Sequence, residues 1–169
     1  VTTPAVMKVM SRLEKRGYNS VVFHAKTAIL DRLVKEGKID GIVDLTSFET
    51  IPIVLYPAAI IISRLGVAEV RRTRLESAGE KALPQIIAPG GLDMHIFPGE
   101  GIEAVPPGFR NRAWTMHGPN IALVRTNKDE LTKVGKNIAE RANKAAGPVA
   151  VIIPLRGFSE ASKKGAPLY

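Results

Sequence analysis

The chain has 169 residues, no cysteine and a formal net charge of +8. That length suits one domain burying about two thirds of its unfolded surface, and the missing thiols exclude disulfides, thiolate metal sites and cysteine nucleophiles. The charge favours anionic partners such as nucleotides or phosphate esters. The densest basic run, Arg71, Arg72 and Arg74, has no interleaved aromatics, so nucleic acid is not the expected partner.

The opening VTTP has neither the charged start nor the apolar core of a secretory signal, and a chain that opens on Val1 is expected to be a fragment. Thr2 and Thr3 before Pro4 predict a helix start, because a hydroxyl caps free amides and proline fits the first helical position. Val6, Met10 and Leu13 then line one helix face as far as about Arg16, and Gly17 closes it. SVVFHA at 20–25 is β-branched and aromatic and predicts a buried strand. A second unit repeats this plan: Ile29, Leu30, Leu33 and Val34 on a helix, Gly37 as its stop, and a strand at 41–45.

The most apolar stretch, residues 51–62, is shorter than the roughly 20 residues of a membrane helix and holds Pro52 and Pro57. It is expected to pack against protein, with the cytosol as compartment and a homo-oligomer as one use of the surface. A helix is expected over 68–78, a strand at QIIAP, a Pro/Gly-rich loop over 98–108 and then WTMHGPN. A long amphipathic helix over 128–144 carries Leu131, Val134, Ile138 and Ala142 inward, and VAVIIPL forms the last strand.

Alternating strands and helices predict a single α/β domain over residues 1–169, with a mostly parallel, flavodoxin-like or Rossmann-like sheet and helices on both faces. Ligands of such sheets sit beyond the carboxyl ends of the strands, so the candidates follow strands. Thr2 and Thr3 at a helix start can cap it, hold an anion, or do both. His24 ends a strand, where it is either an acid/base or a structural histidine. Asp93 and His95 sit two residues apart and share a face if extended, a pair that can orient a proton or position an ion. Two such groups fall short of a metal site, and His24, Glu49 and His117 are the only further ligands in reach of the pattern. Gly90 and Gly91 permit a tight turn and close approach of a ligand to the backbone. Arg125 and Arg156 follow apolar runs and can fork onto phosphate or carboxylate, with Ser159 beside the second. Trp114 and Phe97 either stack on a base or fill an interface. No Walker loop, dinucleotide fingerprint, GxSxG elbow or HExxH is present.

Taken in order, VTTPAV, VVFHA, DGIVDLT, GLDM, LVRTN and GPVAVIIPLRGFS resemble the second domain of the plant, fungal and bacterial family named for the tomato mosaic virus resistance protein. The resemblance spans nearly the whole chain. It implies a two-domain unit in which an upstream α/β domain packs on this one, and it implies nucleotide binding. Two stretches depart from the family pattern. Ala25 runs straight into Lys26 and Thr27 where the family has a glycine-rich loop, and residues 51–66 are more apolar than the family pattern.

Residues and resemblance together give the expectation of ATP, with magnesium, or another phosphorylated small molecule. The ligand would be held at the rim or in an interdomain cleft by Thr2, Thr3, Thr46, Gly90, Gly91, Arg125, Arg156 and Ser159, with His24, Asp93 and His95 as candidate catalytic or positioning groups. The alternatives are an enzyme of small-carboxylate or sugar-acid metabolism with His24 or His95 as acid/base, and a protein-interaction scaffold using residues 51–62.

Overall fold

The computed structural model describes residues 2–24, 28–56, 62–63, 66–67 and 74–169. Helix α1 (Thr3–Glu14) begins behind Thr2 with Pro4 in its first turn, and none of its residues is buried. Helix α2 (Ala28–Lys35) leads to strand β1 (Ile42–Asp44), followed by α3 (Thr50–Leu55), a short antiparallel pair β2 (Ile62–Ser63) and β3 (Gly66–Val67), and α4 (Arg74–Glu80). Strand β4 (Gln85–Ile87) follows, then β5 (Met94–Pro98), β6 (Trp114–Met116), β7 (Ile121–Arg125), α5 (Lys128–Lys144) and β8 (Val149–Val151).

The parallel sheet has the order β1–β4–β8, with Val43 opposite Ile86 and Ile86 opposite Ala150. Its neighbour is antiparallel, in the order β5–β7–β6. The fold is therefore a mixed α/β domain, and the expectation of a mostly parallel sheet is corrected. Past the Gly90–Gly91 turn the chain does not cross over but pairs β5 with β7, and Gly118, at φ 69°, lets β6 and β7 join through a tight turn that only antiparallel strands allow.

Side chains decide which face of the parallel sheet is covered. Ile51 of α3, Leu75 of α4, and Val134 and Ile138 of α5 close over Ile87, with Leu131, Ala142 and Val149 around them. Leu30 and Val34 of α2 and Ala78 of α4 close over Ile42. Helix α5 is fixed at its start by a capping box in which Asn127 accepts from the Glu130 amide and Glu130 from the Asn127 amide. All of these contacts fall on one face, where residues 42, 85 and 87 point. Among the described residues the expected helices on the second face are absent.

Two local expectations also change. Residues 20–24 form no strand: Val21 and Val22 are exposed, and only Phe23 reaches the core beside Ile42. A strand needs a hydrogen-bonded neighbour, and among the described residues no ladder forms to 20–24, although β1 lies at the edge of its sheet. The apolar run 51–62 is in its first half helix α3, with Ile51 buried in the domain's own core rather than facing a partner; residues 57–61 lie outside the described residues. So do 68–73, the first part of the helix expected over 68–78, and Ala25 to Thr27, where the sequence departs from the family's glycine-rich loop. No helix among the described residues is long and apolar enough to cross a membrane.

Candidate functional site

The loops after β1, β4 and β8 are tied to one another at the carboxyl ends of the three parallel strands. Asp44 ends β1 as a buried carboxylate and accepts from the Ser47 hydroxyl at 2.7 Å and from the Thr46 amide at 3.3 Å, which folds the loop back on itself. The Ser47 amide donates to the Gly90 carbonyl at 3.0 Å, and the Gly91 amide to the Phe158 carbonyl at 2.8 Å. Thr2 joins from the start of α1, its hydroxyl 2.5 Å from that of Thr46. Because its hydroxyl is spent there, Thr2 makes no side-chain cap to its own helix.

The two glycines have separate reasons. A Cβ on Gly90 would lie 2.4 Å from the Leu45 carbonyl and 2.9 Å from Thr2, so the close approach is made by the protein's own backbone rather than by a ligand. Gly91 has φ 74°, the left-handed region glycine enters without strain.

Ser159 donates its hydroxyl to Oδ2 of Asp93, and its oxygen accepts from the Ala161 amide at 3.1 Å. Asp93 is fully buried, and its Oδ1 has no hydrogen-bond partner among the described residues. Next to this pair lies an open cleft of about 410 Å³ whose lining includes Thr2, Lys8, Gly90, Arg156, Ser159 and Lys163. Lys163 is paired with Glu160. Arg156 and Lys8 are exposed and make no side-chain hydrogen bond or ion pair with a described residue. Two unneutralised cations thus flank a cleft at the strand ends, with Pro154 and Phe158 adding apolar wall.

Of the sequence-predicted residues, Thr2, Gly90, Arg156 and Ser159 line this cleft, with Thr46, Gly91 and Asp93 bonded directly behind them. Thr3 is exposed in the first turn of α1. Arg125 is not brought in: its guanidinium donates to the Asp93 carbonyl at 3.2 Å from the far side of the turn. His24 is exposed and does not line the cleft.

Asp93 and His95 do not form a pair. His95 is buried in β5 with both ring nitrogens held, Nε2 at 3.0 Å from Glu130 and Nδ1 at 3.3 Å from the Tyr56 hydroxyl. Arg112 grips the same Glu130 at 2.8 and 3.0 Å and lies over the Phe109 ring, which packs edge-on against His95. Burial depresses the His95 pKa below its ordinary value, outweighing the hydrogen bond to Glu130. Burial would raise Glu130, yet the hydrogen bonds from Arg112, the Asn127 amide and His95 hold its carboxyl below the usual range. Burial raises the Tyr56 pKa. The network joins α3, β5 and α5, and its outer residue Arg112 carried no sequence signal beyond its charge. Lys8, the other cleft cation, was also missed, although its place one helical turn after Pro4 could have suggested it.

No group of three metal-ligating side chains occurs among the described residues, so His24, Glu49 and His117 do not converge on the Asp93 turn. Phe97 packs against Phe109 and the Val105 cluster, whereas Trp114 is partly exposed on β6.

Against known proteins, the profile described as the C-terminal domain of Uncharacterised protein family UPF0261 matches residues 1–169. A UPF0261 protein of Clostridium tetani is 36 % identical over 172 residues, a match that covers 100 % of this chain and 40 % of that protein. The ToMV resistance protein Tm-1(GCR237) of Solanum lycopersicum is 34 % identical, with 100 % of this chain and 21 % of that protein covered. A UPF0261 protein of Rhizobium meliloti is 30 % identical, over 100 % of this chain and 40 % of its own length. The chain thus spans two fifths or less of these relatives.

Proposed function

Because the chain belongs to the UPF0261 C-terminal domain family, and its cleft is flanked by cations that no described residue neutralises, we propose that the domain binds ATP or another phosphorylated small molecule at the ends of β1, β4 and β8. The observation that carries this reading is Arg156: exposed, without an ion pair among the described residues, and part of the same cleft lining as Lys8. A guanidinium in such a lining can fork onto two phosphate oxygens, and a lysine in the same lining adds a point charge. The cleft volume of about 410 Å³ falls within the range of small-molecule sites, roughly 300–1,000 Å³.

The remaining lining residues support the same chemistry. The amino end of α1, with its positive dipole end, reaches the same cleft through Thr2. Pro154 and Phe158 offer an apolar surface for the organic part of a ligand. Magnesium would be carried mainly by the phosphates, because Glu160, the carboxylate in the cleft lining, is already paired with Lys163. Calorimetric titration of ATP, with and without magnesium, into the protein tests the reading. Saturable binding is expected, and no heat with ATP, a sugar phosphate or pyrophosphate overturns it.

A further inference from the structure

Among the described residues, the parallel sheet has one covered face and one open face. Strand residues alternate between faces, so with Ile42, Ile87 and Val149 turned to the helices, Val43, Ile86 and Ala150 stand in one row on the opposite side, each opposite the next across the ladder. Ile86 is 38 % exposed, and Ile152, two residues past Ala150, is 56 % exposed. The Ile152 amide still donates to the Ile87 carbonyl, so its backbone is anchored to the sheet while its side chain meets solvent. Parallel sheets are found with both faces covered, and a contiguous apolar row of this kind marks an interaction surface.

What covers it follows from the rest of the family proteins and from charge. The matched region is a C-terminal domain and covers 40 % of the Clostridium tetani and Rhizobium meliloti relatives, leaving 60 % of each outside it. A second copy is a poor occupant: the chain carries a formal charge of +8, and the row runs through Ile152 and Pro154 directly into the cleft edge at Arg156, so two copies face to face would crowd like charges. We propose that in the full-length protein the region preceding this domain packs on the Val43–Ile86–Ala150–Ile152 face. Its contact surface would carry an apolar strip that matches this row. Packed there, it would also form an outer wall beside the cleft, a consequence independent of which ligand the cleft takes.

Site-specific photocrosslinking tests this. Benzoyl-phenylalanine is placed at Ile152 of the full-length protein, with Lys164, an exposed residue, as the reference position. After irradiation the adducts are mapped by mass spectrometry. The expected result is adducts within the region preceding this domain, in the monomer fraction, at a yield at least about tenfold above the Lys164 reference. Adducts confined to this domain, adducts found only between two copies, or a yield no higher than at Lys164 would each overturn the proposal.

Discussion

Ser159 donates its hydroxyl to Asp93 across 66 residues of sequence, and this bond fastens the loop after β8 to the turn after β4. Both partners are buried, so removing one leaves a polar group without water to replace it. Asp93→Ala is expected to cost about 2–4 kcal/mol and Ser159→Ala about 1–3 kcal/mol. The double variant should cost less than the sum, with a coupling of about 1–2 kcal/mol. Urea unfolding of the four proteins measures this; additive losses would show that the two residues act separately.

Gly90 is predicted to be intolerant of any side chain. A Cβ there would meet the Leu45 carbonyl at 2.4 Å, whereas one at Gly108 meets nothing within 4 Å. Gly90→Ala should lower stability by about 2 kcal/mol or more through forced backbone shifts, while Gly108→Ala should change it by about 0.5 kcal/mol at most. Thermal unfolding of both variants checks the contrast, and equal midpoints would contradict the packing described.

The His95–Glu130 network sets a pH dependence. Burial lowers the folded pKa of His95 below its unfolded value of about 6.5, so the fold favours neutral imidazole. That contribution is fully present above the unfolded value and is lost as pH falls through the lower folded value. Glu130, also depressed, adds a second loss at more acid pH, beginning below its unfolded value. Melting temperature should therefore fall between pH 7 and pH 5 by a few degrees, and in His95→Gln, which titrates no proton, that part of the slope should vanish. A wild-type midpoint that is flat over this range would contradict the assignment.

Much of this site was legible in the sequence because strand ends announce themselves. The runs IVD and QII, each followed by small or polar residues, placed Thr46, Gly90, Gly91 and Asp93 on one rim, and VIIPLRGFS placed Arg156 and Ser159 beside them. Side-chain direction was not legible. Asp93 and His95 share an alternating pattern, yet one belongs to the turn and faces Ser159 while the other belongs to β5 and faces Glu130. Arg125 looked like a ligand group because it ends an apolar strand, but the antiparallel pairing of β5 with β7 sets it opposite Met94 and against the Asp93 carbonyl. The failure at 20–24 has a similar cause. Propensity identified residues fit for a strand, and pairing, a long-range property, decided that they form none.

Arg156→Ala gives the most direct test of nucleotide binding in the strand-end cleft. Arg156 is exposed and bonds to no described residue, so the variant should keep the wild-type melting temperature. Its ATP affinity, measured by calorimetry beside the wild type, should fall about 10- to 100-fold, the loss of one charge-assisted forked contact. An affinity unchanged from the wild type would contradict binding at this cleft.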